Sequence, residues 1–111
     1  MPAYFRLQDL TSIDSSGPQR IEEAIDLGAY GTLAMQCRVA QAAGASSVLK
    51  LEHAATREEA AFTEVTSDNF VLDSTGNQYK SFTNLLRYVR WTATITSGTA
   101  QFLLDVVARE A

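Results

Sequence analysis

The strictest constraint on this chain is a two-residue alternation of apolar and polar side chains. Leu33, Met35, Cys37 and Val39 alternate with Ala34, Gln36, Arg38 and Ala40. Successive side chains of an extended strand point to opposite faces, so this pattern buries one face and wets the other. The same period returns near the C-terminus, where Val89, Trp91, Ala93 and Ile95 alternate with Tyr88, Arg90, Thr92 and Thr94. After Thr96-Ser97-Gly98-Thr99, the residues Phe102, Leu104 and Val106 fall on one face, with Gln101 and Asp105 on the other. Residues 86–96 and 99–109 are therefore expected to be two strands, and the short turn between them predicts a hairpin.

The remaining segments carry shorter signals. Tyr4 to Gln8 reads as a first strand, and Thr11 to Pro18 reads as a loop because of Ser15-Ser16-Gly17-Pro18. Ile21 and Ile25 are four apart, which fits a helical turn. Gly28 and Gly31 end that segment too early for a stable helix, so a strand over Arg20 to Leu27 is preferred. Val48 to His53, Phe62 to Val65 and Phe70 to Leu72 read as short strands, the last two around a Thr66-Ser67-Asp68-Asn69 turn. Asp73-Ser74-Thr75-Gly76-Asn77 reads as another turn. Residues 54–61 hold good helix formers, and Thr56 with Glu59 matches a capping box, which allows a one- or two-turn helix. Short strands separated by turns, without βαβ alternation, predict an all-β fold: an antiparallel β-sandwich, jelly-roll-like. Residues 1–18 are expected to be an N-terminal strand, or arm, with its loop, and residues 19–111 the sandwich.

Composition narrows the function classes. A chain of 111 residues fits one domain, and 46% apolar residues can form a core without staples. Thirteen acidic against nine basic residues give a net charge of −4, which disfavours nucleic acid as a partner. No apolar run is long enough for a membrane helix, and the first residues lack the apolar core of a signal peptide, so synthesis in the cytoplasm is expected. Cys37 is the only cysteine, excludes an intrachain disulfide, and is expected to be a buried inert thiol.

The usual catalytic signatures are missing. His53 is the only histidine, and no G-x-S-x-G, G-x-x-x-x-G-K or G-x-G-x-x-G occurs. One His and one Cys are too few for the common zinc sites. Asp73, Thr75 and Asn77 around Gly76 have the spacing of a calcium loop but lack its later glutamate, so a plain turn is expected. No enzyme activity, cofactor or metal is expected.

What remains is surface. Glu52, Glu58, Glu59, Glu64, Asp68 and Asp73 stand against Arg57 alone, while Lys80, Arg87 and Arg90 form a basic group. Trp91 shares the period of Val89 and Ala93 and is expected in the core, which leaves Tyr88 and Arg90 for the open face. The candidate interface residues are Tyr4, Phe5 and Leu7 on the arm, Glu58 and Glu59 in the acidic segment, and Lys80, Arg87, Tyr88 and Arg90. Complementary acidic and basic edges would orient neighbouring subunits of a homo-oligomer.

Two stretches carry a family resemblance. Ile25-Asp26-Leu27-Gly28-Ala29-Tyr30-Gly31-Thr32-Leu33 leads into the alternating strand, and Leu86-Arg87-Tyr88-Val89-Arg90-Trp91-Thr92 runs into Phe102 to Arg109. In strand order and in these motifs the sequence resembles small virion structural proteins of tailed phages and prophages. The late strand is also similar to one in discoidin-like sandwiches. The resemblance implies a non-enzymatic subunit, a capsid decoration or head–tail accessory protein, whose partners are itself and capsid or tail proteins. The alternative is a carbohydrate-binding or other ligand-binding sandwich, for which Tyr30, Tyr79 and Tyr88 would be the exposed aromatics.

Overall fold

The computed structural model describes residues 3–65 and 69–110. Among the described residues ten strands run in chain order: β1 Ala3–Ile13, β2 Gly17–Pro18, β3 Ile25–Asp26, β4 Tyr30–Gln41, β5 Val48–Ala54, β6 Thr63–Glu64, β7 Phe70–Val71, β8 Gly76–Phe82, β9 Tyr88–Thr94 and β10 Ala100–Glu110. They build two antiparallel sheets. One has the order β1-β10-β4-β8, and the other has β2-β9-β5-β6, with β3 also on β9 and β7 also on β5. The two sheets pack as a β-sandwich, as the alternation predicts.

Each sheet turns one face inward. Leu33, Met35, Cys37 and Val39 of β4 and Phe102, Leu104, Val106 and Ala108 of β10 are buried in one cluster with Leu49, Leu51, Val89, Trp91 and Ala93 of the other sheet. Removing each large apolar side chain from water contributes about 1.5–3 kcal/mol. Trp91 is 7% exposed, as expected, and meets Phe102 edge-on at 5.3 Å between ring centroids.

That contact overturns the expected hairpin. Tyr88–Thr94 and Ala100–Glu110 lie in different sheets and do not pair. Each strand buries the face that its alternation predicts, but alternation reports which face is buried and not which sheet the strand joins. The main course of the chain crosses between sheets repeatedly: β1, β4, β8 and β10 lie in one, and the strands between them lie in the other.

Other expectations change in detail. The first strand runs on to Ile13, past the start of the expected loop at Thr11. The expected strand over Arg20 to Leu27 becomes a 3-10 turn, Ile21–Glu23, followed by the two-residue β3. Residues 54–61 provide one 3-10 turn, Glu59–Ala61; no side chain caps it, so the Thr56–Glu59 capping box does not form. The turn expected at Thr66-Ser67-Asp68-Asn69 falls largely outside the described residues. Gly76–Phe82 was not anticipated as a strand at all, yet it pairs with β4 in unbroken register from Val39↔Gly76 to Leu33↔Phe82.

The Asp26-Leu27-Gly28-Ala29-Tyr30 motif is a local turn with a physical basis. Gly28 sits at φ +58°, where a side chain would strain the backbone. The Asp26 carboxylate accepts the Gly28 N–H at 2.9 Å, and Tyr30 N–H donates to the Leu27 carbonyl at 3.0 Å. The turn launches β4 from the end of β3.

Candidate functional site

The residues singled out from sequence separate into three places. Leu7, expected at an interface, is 4% exposed and belongs to the core; Phe5 is half-buried and meets Tyr30 edge-on at 6.4 Å. Residues 3–13 therefore serve this chain's own sheet, paired along β10. Only Tyr4 among the three is widely exposed, at 62%.

The second place is the outer side of β9. Arg90, expected on an open face, is 3% exposed. Its Nε donates to Glu52 Oε1 at 2.9 Å, and Nη1 and Nη2 donate to the two carboxylate oxygens of Glu59, each at 3.0 Å. Nη1 also reaches the Gln19 carbonyl at 3.3 Å, and the guanidinium lies 4.2 Å from the centre of the Phe62 ring. Burial opposes the charge, but the hydrogen bonds to Glu59 and Glu52 outweigh it and raise the pKa above the ordinary arginine value. The same contact lowers the pKa of Glu59. The acidic segment and Arg90 thus meet inside one chain. Phe62 and Glu59 fold over the face that the alternation alone would leave open.

Nearby, Tyr88 is half-buried between Arg57 and Arg87, whose guanidinium carbons lie 5.0 and 5.2 Å from its ring centre. Arg87 makes a two-point pair with Asp26, at 2.9 and 2.8 Å, which with the Gly28 N–H holds the Asp26 carboxyl at about 2. Glu58 is exposed, and Lys80 is half-buried on the inward register of β8. The structure does not gather the nine candidates into one surface.

The third place was not anticipated as a site. On the outer face of the four-stranded sheet, two rows of residues cross all four strands. One is Tyr4, Val107, Ala34 and Ser81, and the other is Arg6, Asp105, Gln36 and Tyr79. A trough of about 420 Å³ lies between Tyr4 and Tyr79 over Ala34, Val107, Gln36 and Asp105. Tyr79 is 69% exposed. Three inter-strand steps of about 4.8 Å put β1 and β8 roughly 14 Å apart across the sheet.

Asp105 organises one end. Its Oδ1 accepts from Tyr4 Oη at 2.6 Å and from Arg6 Nε at 2.8 Å. Arg6 first, and then Tyr4, stabilise the charged carboxylate and lower its pKa against the opposing effect of burial, while the Tyr4 phenol is raised. At the other end Tyr79 Oη and Ser81 Oγ are 2.8 Å apart. Sequence reasoning named Tyr4 and Tyr79 separately but missed Asp105, Arg6 and Gln36. Tyr4 and Asp105 are 101 residues apart, and only the pairing of β1 with β10 joins them.

Among the described residues no group of three or more His, Cys, Asp or Glu is placed to hold a metal ion, and no helix is long and apolar enough to cross a membrane. Asp73 instead accepts the Ser46 N–H at 3.1 Å.

No family model and no curated protein matches the sequence. Solved structures do match in shape. The SPBc2 prophage-derived protein YomS is similar over 96% of this chain and 93% of its own, at a TM-score of 0.55 and 14% identity. At that identity the likeness establishes a shared fold. A structure of Bacillus endospore appendages, described as a family of disulfide-linked pili, aligns over 100% of this chain and 92% of its own at 12% identity, but its TM-score of 0.41 is too loose to specify a common fold.

Proposed function

We propose that the chain is a non-catalytic structural subunit of a phage-like particle, made in the cytoplasm and acting as a capsid decoration or head–tail accessory protein. The observation that carries this reading is the fold shared with a prophage-derived protein over nearly the whole of both chains. The strand order supports it. Sheets ordered β1-β10-β4-β8 and β2-β9-β5-β6, with the main course of the chain alternating between them, fit a jelly roll. That architecture recurs in viral capsid domains, an analogy at the level of fold. A net charge of −4 suits protein partners better than packaged nucleic acid.

In this role the subunit binds copies of itself and a capsid or tail surface. Arg90 is occupied within the chain, so the contacts fall to groups that remain outside. Leu10 at 58% exposure and Leu86 at 43% supply apolar area. Exposed charges such as Glu58 set orientation more than affinity.

The test combines two measurements on the full chain: its mass by light scattering across a wide concentration range, and its detection by antibody in particles released from the host strain. An oligomer that co-sediments with particles is expected. A monomer at every concentration, absent from all particle fractions, overturns the reading.

A further inference from the structure

Both edges of the four-stranded sheet are guarded against strand addition. On β8, Lys80 stands opposite Met35, in the inward register, and an inward charge on an edge strand opposes pairing with another chain. On β1, the register shifts between Arg6 and Gln8 and again between Gln8 and Thr11. Such bulges interrupt the ladder that a further strand would need. The outer face has no such protection and carries Tyr79 and Tyr4, the two most exposed large hydrophobic residues among those described.

We propose that the trough between Tyr4 and Tyr79 binds a neutral oligosaccharide. The inference goes beyond the structural role and does not depend on it. Both rings are pre-positioned: Tyr4 donates to Asp105 at 2.6 Å, and the Tyr79 hydroxyl is 2.8 Å from that of Ser81. Rings fixed in advance lose little conformational freedom on binding. Their flat faces match the C–H faces of pyranose rings, and the short side chains of Ala34 and Val107 leave the floor low enough for a ligand to reach both.

The polar groups suit hydroxyls. Among the described residues the Gln36 side chain has no hydrogen-bond partner, so its amide offers both donors and an acceptor. Asp105 commits Oδ1 to Tyr4 and Arg6, while Oδ2 has only a 3.5 Å contact to Arg6 and remains open to a hydroxyl donor. A carboxylate in the trough and a net charge of −4 disfavour acidic polymers. A purely apolar ligand would strip water from Asp105 and Gln36 without replacing it. An extended peptide would seek an open strand edge, and both are guarded. The volume, about 420 Å³, lies near the lower end of the ~300–1,000 Å³ range of ligand sites and suits a short stretch of a glycan.

The experiment is an array of neutral oligosaccharides with uronic-acid and sulfated sets as contrast, probed with the full chain, then titration of the best neutral ligand by NMR. Binding to at least one neutral glycan is expected, with shifts at Ala34, Gln36 and Val107. Tyr79→Ala and Tyr4→Ala should each weaken it by about tenfold or more, while Tyr79→Phe, which keeps the ring, stays within about threefold. Tyr79 is exposed, so a normal spectrum for Tyr79→Ala confirms that folding is intact. No binding to any neutral glycan at millimolar concentration, binding to acidic glycans alone, or neutral-glycan binding indifferent to both alanine variants overturns the proposal. A change of oligomeric mass in Tyr79→Ala with no change in glycan binding also overturns it, by making this face a protein contact. Particle association is read separately, so either reading can fail alone.

Discussion

Gln19 and Trp91 exchange two hydrogen bonds: the Gln19 backbone N–H donates to the Trp91 carbonyl at 2.8 Å, and the Trp91 N–H donates to Gln19 Oε1 at 3.3 Å. Gln19 Nε2 then donates to the Leu7 carbonyl at 2.8 Å on the first strand of the opposite sheet. Gln19 is 2% exposed, so one buried amide ties the two sheets together beside the core tryptophan.

Removing that amide while filling its space isolates the effect. Gln19→Leu leaves the Leu7 carbonyl and the Trp91 N–H without partners, and each such buried group costs about 1–3 kcal/mol. The expected loss is about 2–4 kcal/mol in urea denaturation, with an unchanged slope. A loss under about 0.5 kcal/mol would show that water reaches both groups.

Trp91 carries a larger share. Its ring packs on Phe102, and its indole N–H donates to Gln8 Oε1 at 3.1 Å. Trp91→Ala opens a cavity and removes one of the two donors to Gln8 Oε1, the other being Gln19 Nε2 at 3.4 Å, and should cost about 3–5 kcal/mol. For a domain of this size the melting point should fall by more than ten degrees, at about 4–8 °C per kcal/mol. A melting point within about two degrees of the unaltered chain would contradict the core assignment.

Arg90 tests a buried charge. Glu52 is only 17% exposed in its side chain, so Arg90→Met leaves a carboxylate with little water and no partner. A loss of about 3 kcal/mol is expected, at the low end for broken buried pairs because Glu59 is 64% exposed and resolvates. Adding Glu52→Leu should restore part of it. If the double variant is no more stable than Arg90→Met, the penalty does not come from Glu52.

These sites also show what the sequence could reveal. The period of β4 and β10 was legible because each has one face in the core and one in water. Strand β8 was not: of its seven residues only Phe82 is buried, since Gln78 and Lys80 turn toward the sandwich at its open margin. Arg90 was placed on the correct side of its strand, opposite Trp91, but the closing of Phe62 and Glu59 over that side is tertiary. Gln19 and Asp105 carry no local signature, because the partners of Gln19 lie 12 and 72 residues away and those of Asp105 lie 99 and 101 away, on other strands.

Cys37 is fully buried, and burial pushes its thiol up to about 12, so almost no thiolate exists near neutrality. A thiol reagent should leave the folded protein unlabelled, and labelling should rise with urea in step with global unfolding. Rapid stoichiometric labelling without denaturant would mean that β4 opens locally.

His53 gives the fold a pH dependence of defined sign. Its Nδ1 accepts the Leu86 N–H at 3.1 Å, which requires that nitrogen to be unprotonated. Burial lowers its pKa below 6.5, and its cross-strand partners Val89 and Thr63 carry no charge to offset this. The unfolded chain therefore binds the proton more readily than the folded one. The stabilisation is fully present above about pH 6.5 and is lost as pH falls through the folded pKa. Asp26, Glu59 and Asp105 all have lowered pKa values, so their contributions are lost only at more acidic pH. The urea midpoint should thus decline from about pH 7 to about pH 5, with the Leu86 amide losing exchange protection over the same range. His53→Gln supplies a carbonyl that can accept the Leu86 N–H and does not titrate, so its decline across this window should be much flatter. An equal decline in both proteins would assign the dependence to another group.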